Sequence, residues 1–316
     1  MKKLWLLKII VLVLILGVSV YLYLVPWSGA PSTILKLRFV RLLLTLVAGY
    51  TLSINGAVLQ SVLRNQLADP YLVGVTGGAL VGFTLGEISG IRSTFFLSLP
   101  AFLFSTASIV LVYYLAKRGG KVRKELLVLS GLFINFFSYS FVFLMLVSKR
   151  EVLERIIYVL WGYTGIILRR GEFIPFIFIT ILLFLIPIIF LLLAKELDAI
   201  SLGEAEAVSI GVDVEKLKRW AFLLTSFTTA IIVSLAGAIG FIGLMIPNIV
   251  RRLIGGRHMV LLPAAGFGGA LLALFADYIS RVLTPYELPL GIITSLLCVP
   301  FFIWLLIGGG YEGNRS

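Results

Sequence analysis

Long apolar runs separated by short polar or charged turns recur along the whole chain. Lys2, Lys3 and Lys8 precede an apolar run to Val25 that is too long for a signal peptide and lacks a small-residue cleavage site, so it is expected to be an uncleaved first span. Segments 40–60, 71–87, 94–116, 126–147, 173–194, 260–280 and 288–307 are each long enough, as helices, to cross about 30 Å of hydrocarbon. Segment 220–250 exceeds one ordinary crossing and is broken by Gly237, Gly240, Gly243 and Pro247, so two short spans meeting near 237–240 are expected. The pattern predicts an all-α polytopic membrane protein of about ten transmembrane helices. Residues 1–316 form one transmembrane domain with both termini on the same side. Segment 156–168, flanked by Arg155 and by Arg169 and Arg170, is too short to cross and is expected to lie on the surface or re-enter.

Between the second and third spans, Arg64, Asn65, Gln66, Leu67, Ala68, Asp69 and Pro70 form a polar turn. Pro70 restricts the residue before it and cannot continue an earlier helix. The helix that follows carries Gly74, Gly78, Gly82 and Gly86 at four-residue spacing, a stripe that exposes backbone for close helix packing. Each glycine costs roughly 0.8–1 kcal/mol relative to alanine in a helix in water. In lipid the backbone must bond internally, which overrides that cost.

Composition agrees: 60% of residues are hydrophobic, 13% are charged and the mean hydropathy is +1.09, outside the range of a soluble domain. The net charge of +12 does not point to nucleic acid, because the basic residues cluster in the breaks between apolar runs. Of the 27 lysines and arginines, 17 fall on the side of the N-terminus, so both termini are expected in the cytoplasm. The lone cysteine, Cys298, sits in an apolar run, leaving no disulfide framework and no thiolate metal cluster.

The polar connection 195–219 is the only long one on the inner side. Ser201 and Glu204 match a capping box, Gly211 ends the short helix this would start, and Asp213 can cap a second. Two small helices at a membrane surface would make a docking knob; a solvated linker is the plainer alternative. Arg38 and Arg41 open the second span and Arg281 closes the ninth, all on the outer side. They read either as snorkelling anchors or as a basic patch for an acidic partner, and Asp277 could pair with Arg281 at i,i+4. Asn55, Gln60, Asn135 and Asn248 suit interhelical hydrogen bonds or a wet pathway. His258 falls in a loop beside Arg257, without companions at metal-ligand spacing. No P-loop, nucleophile elbow, H-E-x-x-H or cluster of intramembrane acids occurs, so uphill transport would draw its energy from another subunit.

Together these motifs resemble the permease subunits of ATP-binding-cassette (ABC) importers for vitamin B12, haem and ferric siderophores, over nearly the whole chain. Arg38-Phe39-Val40-Arg41 resembles R-L-P-R, and Gly56 to Gln60 with Arg64 to Pro70 resembles G-x-x-x-Q and R-N-P-L-A-x-P. Leu202-Gly203-Glu204 to Gly211 is similar to L-G-x-x-x-A-x-x-L-G, and Gly240 to Arg251 to G-F-V-G-L-x-x-P-H-I-x-R. Asp277 to Arg281 and Glu287 to Thr294 are similar to D-x-x-x-R and E-L-P-x-G-x-x-T. Departures are Gln66 and Val40 in place of prolines and Asn248 in place of histidine; Gln66 implies a less rigid inner turn.

The resemblance implies a type II ABC importer permease fold and no covalent chemistry or cofactor. It implies that Arg38, Arg41 and Arg281 receive acidic residues of an extracytoplasmic solute-binding protein, and that Asn65 and Leu67 contribute to a cytoplasmic gate. It implies that 199–217, with Leu202, Gly203, Glu204, Glu206, Ala207 and Gly211, forms coupling helices for the ATPase. The expected partners are a second permease copy, two cytoplasmic ATP-binding subunits, the solute-binding protein and a metal chelate, in the cell membrane. An intramembrane lipid-modifying enzyme and a secondary carrier are the competing classes, excluded if ATPase subunits co-purify or uptake is vanadate-sensitive.

Overall fold

A computed structural model of the chain describes residues 2–24, 31–118, 121–147, 153–284 and 286–307. Lys149, Arg150 and Arg315, used above to orient the spans, lie outside the described residues. Apart from a ladder of two-residue strands, β1 (Lys117–Arg118) and β2 (Lys121–Val122), the regular structure is helical. Helices α1 (Lys2–Leu24), α2 (Ser32–Val62), α3 (Val75–Ile88), α4 (Thr94–Ala116) and α5 (Lys124–Val147) fall on the first five expected spans. The sixth is α7 (Phe173–Leu185), continued by a 3-10 turn and α8 (Ile189–Leu192). α13 (His258–Val282) and α14 (Leu290–Ile307) are the last two. By length and composition, six helices among the described residues can cross a membrane and three more are shorter but apolar.

The remaining stretch departs from expectation. α11 (Val214–Ala236) is one full-length helix, begun by Asp213, whose Oδ1 accepts from Lys216 N at 3.0 Å. Only α12 (Ile242–Ile254) is short. The break falls at Gly237 and a helix starts at the Asp213 cap, both as expected, but that helix runs on unbroken from the polar connection into the span.

α2 is the axis of the bundle. Protein covers 89% of its most apolar window, against 28% for Phe173–Leu192. A helix so enclosed tolerates Thr45, Thr51, Ser53 and Asn55, because neighbouring helices satisfy or shield polar groups that lipid would not. Small residues bring the neighbours in: a Cβ built on Gly56 would lie 1.8 Å from the Gly243 carbonyl oxygen of α12. A Cβ on Gly49 would lie 2.3 Å from the Gly269 oxygen of α13. The stripe on α3 acts likewise against α4, where a Cβ on Gly78 or Gly82 would meet the carbonyl oxygens of Phe104 and Pro100 at 2.5 and 2.2 Å. A Cβ on Gly86 would come within 2.9 Å of the Leu97 side chain. Gly74 is different: it sits at φ 83° in the joint between the 3-10 turn Pro70–Val73 and α3, so it serves the chain's bend and not the stripe.

Segment 156–168 takes in the end of α6 (Leu153–Trp161) and then an extended stretch that folds into the bundle. Three non-helical pieces satisfy one another there: Ala238 N donates to Val159 O, Tyr163 N to Ala236 O and Leu290 N to Gly162 O, at 2.9, 2.6 and 2.7 Å. Ile239 N donates to the Tyr71 hydroxyl at 3.1 Å. Breaks in separate helices are thus tolerated because each supplies the other's backbone partners.

Candidate functional site

The antiparallel pair α2 and α13 carries a polar cluster at each end. At the first, Arg41, Asp277 and Arg281 meet as expected, joined by Glu287 from the α13–α14 connection. Arg41 Nε donates to Asp277 Oδ1 at 2.8 Å and Nη1 to Glu287 Oε2 at 2.7 Å. The Tyr23 hydroxyl donates to Asp277 Oδ2 at 3.0 Å and that of Tyr163 to Glu287 Oε2 at 2.5 Å. Arg281 Nε lies 3.2 Å from Asp277 Oδ2, the i,i+4 pair foreseen from spacing, with its guanidinium over the Tyr23 ring.

This geometry corrects the reading of Arg41 as a docking residue. Its side chain is 6% exposed, with Nε and Nη1 bonded to two carboxylates, so it is the hub of the network and not its surface. Arg38 and Arg281, half-buried at the rim of the same cluster, present the cationic face. Three guanidinium groups against two carboxylates leave this cluster with one net positive charge. Burial alone would raise the Glu287 carboxyl, but the Tyr163 hydroxyl and the Arg41 charge outweigh it and hold the group below the usual carboxylate range.

At the other end, about 30 Å away along α2, the turn 64–70 exposes residues 64–67, buries Ala68 and Pro70, and is tied by its own polar groups. Asn65 Oδ1 accepts from Leu67 N at 2.9 Å, Asp69 Oδ1 accepts from Tyr71 N at 2.8 Å, and Arg64 holds φ 49°. Asn65 and Leu67 are both exposed. The loss of rigidity foreseen at Gln66 is offset from outside the turn: Asn248 Nδ2 of α12 donates to Gln66 O at 3.0 Å. Gln60 Nε2 donates to Gly243 O, and Arg251 Nη1 to Gln60 Oε1. Asn55 bonds to Thr225, Thr228 and Thr229, and Asn135 takes Gly77 N, so Asn55, Gln60 and Asn135 join helices while Asn248 ties α12 to the turn.

The 195–219 connection also differs from its sequence reading. α9 (Ala194–Leu202) runs through Ser201, whose hydroxyl bonds back to Leu197 O, so no capping box forms. α10 (Glu204–Ser209) follows at Gly203, strapped to α11 by Lys218, whose Nζ lies 2.8 Å from Glu204 Oε2 and 3.7 Å from Glu215 Oε1. Leu202, Val208 and Ile210 are 77%, 61% and 70% exposed, whereas Ala207 is fully buried beneath them. Glu206 is exposed, and Gly211 takes φ 86° at the end of the turn after α10.

His258 was misjudged. It opens α13, buried, with Nδ1 2.6 Å from Asp198 Oδ1 and Nε2 2.6 Å from Ser61 Oγ. Neither neighbour is near it in sequence, and no local pattern announces the contact. The order matches a hydrolase's acid, base and nucleophile, but Ser61 is buried and its hydroxyl also bonds to Ala57 O, leaving no room for a substrate carbonyl. Among the described residues no group of three or more His, Cys, Asp or Glu could hold a metal ion.

Comparison with known proteins decides the class. The profile of the FecCD transport family matches residues 5–308. The chain belongs to the FecCD transport family. This FecCD-family chain is 33% identical over 282 residues to the Fe(3+) dicitrate transport system permease protein FecD of Escherichia coli K12, covering 87% of the chain and 85% of that protein. It is 34% identical over 284 residues to the hemin transport system permease protein HmuU of Yersinia pestis, covering 86% and 82%. It is 34% identical over 288 residues to the cobalamin import system permease protein BtuC of Halobacterium salinarum, covering 88% and 75%. A solved inward-facing conformation of a metal-chelate type ABC transporter superposes with TM-score 0.84 at 28% identity, over 96% of this chain and 99% of that one. The FecCD-family chain is therefore the permease of a metal-chelate type ABC importer, a transport subunit and not an enzyme.

Proposed function

We propose that this permease passes an intact metal chelate into the cytoplasm by alternating access, as a homodimer seated on two ATP-binding subunits. The observation that carries this reading is the α9–α10 knob. Leu202, Val208 and Ile210 expose large apolar side chains on a charged protrusion, while Lys218 and buried Ala207 hold the protrusion in shape. Exposed apolar groups rimmed by charge are what a protein partner covers. The knob lies at the end of the bundle where 17 of the 27 basic residues were assigned, which supports a cytoplasmic ATPase seat and cytoplasmic termini. The gate is then the turn at Asn65 and Leu67 on the same end.

At the opposite end, Arg38 and Arg281 are proposed to receive the acidic surface of an extracytoplasmic binding protein, with Arg41 fixing them from beneath through Asp277 and Glu287. The relatives' names include ferric dicitrate, hemin and cobalamin systems, which supports a chelate as cargo. The test is uptake in proteoliposomes with ATPase and binding protein, offering haem, cobalamin and ferric siderophores in turn. Leu202→Asp should abolish ATPase co-purification and uptake together, in a protein as monodisperse as wild type. Wild-type uptake by that variant would refute the knob as the seat.

A further inference from the structure

The three residues Asp198, His258 and Ser61 belong to three elements with different tasks. Asp198 lies in α9, one turn before exposed Leu202. Its Oδ1 accepts from His258 N at 2.8 Å and faces Nδ1 at 2.6 Å, so a carboxylate from α9 caps the start of α13, which has no side-chain cap of its own. An ionised carboxylate only accepts, so Nδ1 carries the proton toward it, leaving Nε2 of the neutral ring facing the Ser61 hydroxyl as an acceptor, the one hydroxyl proton being shared between Nε2 and the Ala57 carbonyl. Ser61 in turn touches the turn directly: its carbonyl accepts from Arg64 N at 3.2 Å, and the preceding Gln60 carbonyl accepts from Asn65 N at 2.9 Å. A contiguous hydrogen-bonded path thus runs from the knob to the first residues of the turn.

We propose that His258 is a positioning residue that couples the ATPase-seating helix α9 to the cytoplasmic gate, through Asp198 on one side and Ser61 on the other. This rests on the reading of α9–α10 as the ATPase seat and of 64–70 as the gate. Movement of α9 displaces Asp198, which drags the capped end of α13 and the imidazole with it, and the imidazole pulls on the last turn of α2 from which the gate hangs. Contiguity supplies the physical route, and coupling measurements decide whether force travels along it.

The experiment uses the assembled importer in proteoliposomes and measures ATP hydrolysed per chelate taken up. His258→Ala and Ser61→Ala should each raise that ratio by about tenfold while the ATPase still co-purifies. The double variant should be no worse than His258→Ala alone, since both cut one path. Ser61→Thr, which keeps a hydroxyl, should restore the wild-type ratio. If His258→Ala proves unfolded, Ser61→Ala and Ser61→Thr decide the matter alone. A wild-type ratio in monodisperse Ser61→Ala, or additive losses in the double variant, would overturn the proposal. Failure of the seat itself would look different: Leu202→Asp would then retain ATPase binding.

Discussion

Both ends of α2 bury ionisable side chains, yet they are wired in opposite styles. At the Arg41 end, Asp277 alone receives groups from α1, α2 and its own helix, and Glu287 receives Arg41 and Tyr163. Charge meets charge there, several times over, and the elements are cross-braced. At the His258 end the path from α9 runs in single file through Asp198, His258 and Ser61 to the turn, which α12 holds separately through Asn248. One end is built as a brace and the other as a thread. In a transporter the lesson is where deformation is permitted: a redundant ion network resists rearrangement, whereas a serial chain transmits it.

The largest effect should come from cutting the brace. Asp277→Ala strips two guanidinium groups of a buried partner and should cost about 3–5 kcal/mol, seen as a large fall in melting temperature in detergent. Asp198→Ala, which unmakes the start of the thread, should cost roughly 1–3 kcal/mol. If Asp198→Ala destabilises as much as Asp277→Ala, the contrast between the ends is false. Comparable with Asp198→Ala, Gly56→Ala pushes a methyl against the Gly243 backbone and should cost about 1–3 kcal/mol. Gly17, with nothing within 4 Å, should accept alanine without a measurable shift.

A smaller effect separates charge at the rim from charge in the brace. Arg38→Glu with Arg281→Glu should weaken binding-protein docking at low salt, and the loss should shrink as salt rises, because rim charges are screened. Wild-type docking by that folded variant at low salt would remove the cationic rim from the receptor. The smallest expectation concerns acid. Glu287 is held below its unfolded value, so its contribution to stability is intact at neutral pH. It should fade only as pH falls through the carboxylate range, and Glu287→Gln should flatten that part of a melting-temperature profile. An equal slope in both proteins would assign the acid loss to other carboxylates.

Much of this was legible from residues alone, and the exceptions share a cause. Span positions followed from apolar run length, because lipid punishes any unpaired backbone regardless of context. The meeting of Arg41 with Arg281 followed from the count of crossings. Burial depth did not: nothing local distinguishes Arg41, 6% exposed, from Arg38 three residues earlier at the rim. Ser201 carried a correct capping signature, but α9 continued through it because its Leu197 and Ile200 are packed into the core, a tertiary gain that outweighs a cap. The Asp213 cap that begins α11 was legible, but the helix's continuity into the next span was not, since Val214 and Leu217 are buried while their neighbours are charged. His258 was invisible because its two partners are 60 and 197 residues away.

The seams where Gly49 meets Gly269 and Gly56 meets Gly243 bring backbone against backbone, with only the short side chains of Ser53, Ala273 and Pro70 beside them. Helices that slide past one another normally do so by exchanging rotamers, and a backbone-to-backbone seam has none to exchange. α2, α12 and α13 are therefore held in fixed register along these seams, and the chain leaves that register only at the break 237–241 and the turn 64–70.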